Sequence, residues 1–228
     1  RVGFVGMSYI TAAIYKHLTE TLTDREFVDA TEMVDRIRAI KSNYELELRE
    51  KCIKMHERIF AAIPSILRPG RTEFEVVQET EYIAKALGCP VCSVMIGSDE
   101  VRPVKSPALY RNKVIGPKDY VNFLLEVATP GGLWGELGRV FSFVDPSPAM
   151  RQAEKDSIEI QALIASQAKP GALPCDLLAL VNKNLTERGY GPELRIFAHG
   201  QGYDIVERPA FSEWETMPLA ENMFLAIH

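Results

Sequence analysis

The chain has 228 residues, 46% of them hydrophobic, enough to bury one large core or two small ones. A formal net charge of -5 and the lack of any basic run argue against a nucleic-acid or polyanion surface, and no apolar stretch approaches the ~20 residues of a membrane span. Four cysteines are too few for a disulfide scaffold of this length, so a reduced, cytoplasmic protein is expected.

The opening "RVGFVGMSYI" has one basic residue and no small-residue cleavage site, which makes it a poor signal peptide; "VGFVG" reads instead as a buried strand. Ser42 and Glu45 form a capping box, apolar positions from Leu46 to Leu67 recur at helical spacing, and "RPG" at 68–70 stops that helix. Thr72 and Glu75 form a second capping box, whose helix runs to Gly88. Cys89 and Cys92 have C-x-x-C spacing but follow a helix and enter a strand, the reverse of a redox motif. No second pair has the spacing of a structural zinc site. "VCSVMIG" and "YVNFLLEVA" read as strands, "GGLW" as a turn and "LGRVFSFV" as a return strand.

The second half repeats this order. A long helical pattern covers 149–168, "KPG" at 169–171 stops it, and a further helix runs to Gly189. Pro69-Gly70 recurs as Pro170-Gly171, and Gly88 as Gly189, at one shared offset. "LRIFAHG" then matches "CSVMIG", and "NMFLAIH" matches "VNFLLEV", so the chain reads as a duplication. The return strand has no counterpart after His228, which predicts a missing C-terminal hairpin strand. Residues 1–38 read as the tail of an N-terminal α/β domain plus linker, and 39–228 as the main domain, truncated at its C-terminus. The expected fold class is α+β: a duplicated, curved antiparallel sheet with helices outside it.

Four ionisable residues interrupt the apolar strands: Glu126, Glu136, His199 and His228. The repeat places Glu126 within one residue of His228, so a pseudo-two-fold axis brings them together near the sheet's centre. Carboxylates and imidazoles are seldom buried without partners, and four in equivalent places point to one shared pocket. Singly, each has a plainer role: Glu136 a solvated hairpin residue, Glu126 an ion-pair partner of Arg139, His228 an exposed end, His199 a core histidine. The glycines of "HGQG" around His199 read as room for a ligand.

These features, with "IRAIKSNYELELREKC", "RPGRTEFEV", "ELGRVF" and "AHGQGYDIVERP" in that order, resemble the pita-bread family of methionine aminopeptidase, proline aminopeptidase, prolidase and creatinase. The resemblance covers about residues 36 to 228. It implies the pita-bread fold, a homodimer, and a site that in the family's peptidases binds two metal ions through two Asp, one His and two Glu. Carried over, the first Asp falls on Glu126. The second, in an Asp-x-x-Arg pattern, falls on Glu136, with Arg139 matching the Arg and expected to orient Glu136. The His falls on His199, and the first Glu, which in the family precedes Pro-Gly, falls on His228. The second Glu would lie in the missing hairpin, and of the other four only His199 is identical. Two substrate-handling histidines of the family fall on Val104 and on Val206, just before Glu207; these three and Arg139 are the candidate substrate-binding residues.

The resemblance therefore implies a degenerate metal site. The expected activity is hydrolysis of an amide or guanidino C–N bond in a small substrate, without cofactor, with Glu126, Glu136, His199 and His228 as acid/base groups. One alternative keeps a divalent metal (Mn, Zn, Fe or Co) on those four residues in an Xaa-Pro aminopeptidase or dipeptidase. Another is a non-catalytic module that binds peptides or partners.

Overall fold

The computed structural model describes residues 1–100 and 112–228. Val104 lies outside them. At the start, β1 (Val2–Phe4) pairs in parallel with β2 (Phe27–Asp29), flanking α1 (Ala12–Thr21) and leading to α2 (Thr31–Ala39). β1 is not the buried strand expected, since Phe4 alone in it is buried, stacked on Phe27 and tilted against Tyr15. A two-stranded sheet beside a helix with no buried residue has little apolar surface to hide.

Both capping boxes form. Ser42 and Glu45 start α3 (Asn43–Ile66), and Thr72 and Glu75 start α4 (Glu73–Ala86), each exchanging side-chain and backbone hydrogen bonds. Along α3 the buried residues Leu48, Cys52, His56, Ile59, Ile63 and Ile66 fall at three- and four-residue spacing, a single stripe. That stripe and Val76, Val77 and Ala84 of α4 pack on a regular antiparallel sheet of β3 (Cys92–Asp99), β4 (Tyr120–Ala128) and β5 (Trp134–Ser142). Phe123 at its centre meets Phe60 and Phe141 edge-on.

The second half repeats the plan with α5 (Pro148–Gln167), α6 (Pro174–Glu187) and a sheet ordered β7-β6-β8. Gly70, Gly88, Gly171 and Gly189 all take positive φ, so the repeated glycines stop equivalent helices in one backbone conformation. Its strands, however, are much shorter than the sequence predicts: β6 is Ala198–Gly200, β7 Glu207–Ala210 and β8 Leu225–Ile227. Two local causes are visible. The Arg195 backbone N–H is taken by the Glu193 carboxylate, which ends the ladder on one side. A register shift between His199 and Gly200 breaks it on the other. Phe197, Phe211, Ile160, Ile164, Leu177 and Leu219 form the separate core beneath.

The two sheets meet where the Trp134 N–H donates to the Gly202 carbonyl, at 2.7 Å. No helix of the described residues is long and apolar enough to cross a membrane.

Candidate active site

Glu126 and Glu136 stand directly opposite each other on β4 and β5, a spacing at which two like charges repel. His199 is the middle residue of β6, opposite Ala226 of β8. His228 follows β8 and donates its backbone N–H to the Phe197 carbonyl at 2.8 Å. The seam between the sheets thus brings one carboxylate of the first half up to two imidazoles of the second.

His228 Nε2 lies 2.6 Å from Glu136 Oε1, and His199 Nε2 lies 3.6 Å from the same oxygen. The two Nε2 atoms are 3.3 Å apart. His199 Nδ1 is 2.9 Å from the Gly200 carbonyl, which can only accept, so Nδ1 carries the proton and Nε2 presents its lone pair. All three ligand atoms lie within 4.8 Å of one another, close enough to hold a metal ion. Glu126 is outside this group.

The two glutamates are pushed apart electrostatically. Burial and the charge of Glu136 raise the Glu126 pKa, against a Ser93 hydrogen bond and His228. Burial also acts to raise Glu136, but the hydrogen bond and charge of His228, with His199 and His56, bring it below the usual carboxylate value. Behind Glu136 a cavity of about 300 Å³ opens between α3, β5 and β8, lined by Cys52, His56, Arg139, Gln201 and Phe224 among others. His56 and Gln201 were not foreseen. His56 sits in the apolar stripe of α3, its pKa lowered by burial against the pull of the Cys52 and Leu125 carbonyls. Its only sequence signal is a titratable residue at a stripe position. Gln201 is the unassigned residue of "HGQG"; it is 1% exposed and its Nε2 donates to Glu136 Oε2 at 3.4 Å.

The glycines beside His199 are not open space. A Cβ on Gly200 would sit 2.5 Å from the Arg208 carbonyl oxygen, and one on Gly202 would sit 2.7 Å from Glu207 and 2.8 Å from Lys41. They admit backbone and a buried ion pair, not a ligand. Glu207 is that pair's acid: Lys41 Nζ is 2.7 Å and Arg38 Nη2 2.6 Å from its carboxylate, and it is not among the atoms that converge on Glu136. Val206 is exposed and lines a second cleft with Val5, Tyr9 and Asp35. Arg139 lines the cavity behind Glu136 but does not orient it. Its Nη1 donates to the neighbouring Gly138 carbonyl, and three positions along a strand put the two side chains on opposite faces. Glu136 is held by His228 and Gln201 instead.

With this geometry in view, the chain matches Metallopeptidase family M24 over residues 47–228. It is 26% identical over 229 residues to "Uncharacterized peptidase YqhT" of Bacillus subtilis (strain 168), covering 100% of this chain and 64% of that protein. It is 24% identical over 225 residues to an "Xaa-Pro dipeptidase" of Pyrococcus furiosus, covering 96% of this chain and 63% of the relative. The chain therefore spans less than two thirds of either. Its fold matches that of the prolidase from Pyrococcus horikoshii OT3 with a TM-score of 0.90, at 22% identity, over 99% of this chain and 65% of the other. The duplicated α+β architecture is thus the pita-bread fold.

Proposed function

The chain belongs to metallopeptidase family M24, and from that premise we propose that it hydrolyses the C–N bond of a short peptide or other small amide. The observation that carries this is the convergence of Glu136 Oε1, His199 Nε2 and His228 Nε2 within 4.8 Å at the seam of the two sheets. Two imidazoles and a carboxylate are a fitting set for zinc, manganese, iron or cobalt, and the Gly200 carbonyl already holds His199 in the tautomer that ligation needs. A divalent ion bound there supplies Lewis-acid polarisation of the scissile carbonyl and a more acidic water. The protein's own groups do the rest. Gln201 and His228 hold Glu136 in place, and Glu126, directly opposite Glu136 in the ladder, is the neighbouring carboxyl group for proton transfer to the departing amine.

The opposite pKa shifts of Glu126 and Glu136 favour one second reading, a metal-free pair with Glu136 as base and Glu126 as acid. On the family resemblance alone we also propose a homodimer, which a monomeric mass by light scattering rejects.

The test is a panel of Xaa-Pro dipeptides, other dipeptides and small amide and guanidino compounds, run on intact protein after chelation and after metal repletion. Turnover that depends on metal and is lost in Glu136→Gln supports the main reading. Turnover unchanged by chelation supports the metal-free pair. No turnover of any member rejects both and leaves a binding module.

A further inference from the structure

Building on the proposed hydrolase site, we propose that it takes one metal ion per chain rather than two, and that Gln201 is the residue that sets this number. A carboxylate that bridges two ions must offer a bare oxygen to each. Glu136 has one oxygen that can become bare. Its Oε1 faces both imidazoles, at 2.6 Å and 3.6 Å, and the proton His228 shares with it is one an imidazole gives up when it ligates a metal. Its Oε2 accepts from Gln201 Nε2 at 3.4 Å, and an amide does not give up its hydrogens.

The orientation of that amide is fixed by its surroundings. Gln201 Nε2 also donates to the Ile205 carbonyl at 3.3 Å, so its two hydrogens meet two acceptors. Turned over, the amide oxygen would face those same two acceptors with nothing to give them. The side chain is 1% exposed, and both partners of its amide are protein acceptors. A cation approaching Oε2 therefore meets N–H hydrogens.

The other donors point the same way. His228 stands where the resemblance places a glutamate, and an imidazole whose other nitrogen is a pyrrole-type N–H gives one lone pair to one ion. Glu126, opposite Glu136 in the ladder, lies outside the converging group and takes its hydrogen bond from Ser93. Among the described residues, what converges is two histidines and one carboxylate around a single point.

The experiment is metal content per chain of the intact protein, by elemental analysis after chelation, repletion with manganese, zinc or cobalt in excess, and gel filtration. The expected result is one equivalent for the wild type and for Glu126→Gln, none for Glu136→Gln, and two for Gln201→Glu, which turns the donor into an acceptor. Two equivalents in the wild type, none in the wild type, loss of the ion in Glu126→Gln, or a count of one in folded Gln201→Glu each overturns the proposal. The wild-type count is independent of whether any variant folds. A two-ion protein that cleaves the substrate panel sinks this inference and leaves the function standing; a one-ion protein that cleaves none does the reverse.

Discussion

The two halves share a plan but cohere differently. In the first, strands of eight and nine residues lie in full register over a core of aliphatic and phenyl side chains. In the second, strands of three and four residues are broken by a bulge beside His199, and charged groups tie it down. Glu207 joins Lys41 and Arg38, while Arg208 joins Glu215 and, across to α2, Glu32. The regular half can hold one carboxylate still; the irregular half can aim two imidazoles at it. His199 lies opposite Ala226 in the unshifted β6–β8 pairing, and His228 stands two residues beyond Ala226, so the alternation of faces puts both imidazoles on one side.

The largest expected effects come from the element that holds each half. Phe123→Ala empties the centre of the first core and is expected to cost about 3–5 kcal/mol in urea unfolding. Glu207→Ala leaves the Lys41 ammonium, 2% exposed, facing Arg38 without its counter-charge, and is expected to cost about 3–5 kcal/mol. Replacing both, as Lys41→Met with Glu207→Leu, should recover much of that loss. A double variant as unstable as Glu207→Ala would show that the charge is not what holds the second half.

A smaller effect follows pH. Burial acts to raise Glu215, but Arg208 and the Met217 and Ala210 backbone N–H groups bring its pKa below the ordinary 4.5. Its contribution to stability is therefore present above pH 4.5 and lost as the pH falls through the lower folded value. Glu126 has the opposite sign. With its folded pKa raised above 4.5, it costs stability at neutral pH and that cost is relieved on acidification. In metal-free protein Glu126→Gln is thus expected to raise Tm at pH 7, with the gain vanishing near pH 4; a lower Tm at pH 7 would contradict the assigned repulsion. The smallest effect is Thr72→Ala, which removes one cap of α4 for about 1 kcal/mol.

What could be read in the sequence was local. The capping boxes, the helix-stopping glycines and the long strands of the first half depend on groups a few residues apart. The short strands of the second half depend on Gly200 meeting the Arg208 carbonyl and Glu193 taking the Arg195 N–H, contacts that no alternation of apolar residues announces. Glu207 read as a candidate substrate residue because its partner Lys41 is 166 positions away in the chain. His56 was hidden because a histidine on an apolar helical stripe carries no spacing of its own. Glu136, His199 and His228 were legible because each is an ionisable residue set in or at the end of an apolar strand pattern.

The central claim is that one site is assembled from both halves, Glu136 from the first and His199 with His228 from the second. The most direct test is the visible absorption spectrum of the cobalt(II)-loaded intact protein, compared with Glu136→Gln and His199→Ala. Protein-bound cobalt bands in the wild type, lost when a ligand from either half is removed, are the predicted result. Bands that survive Glu136→Gln unchanged, or no bound cobalt at all, would contradict it.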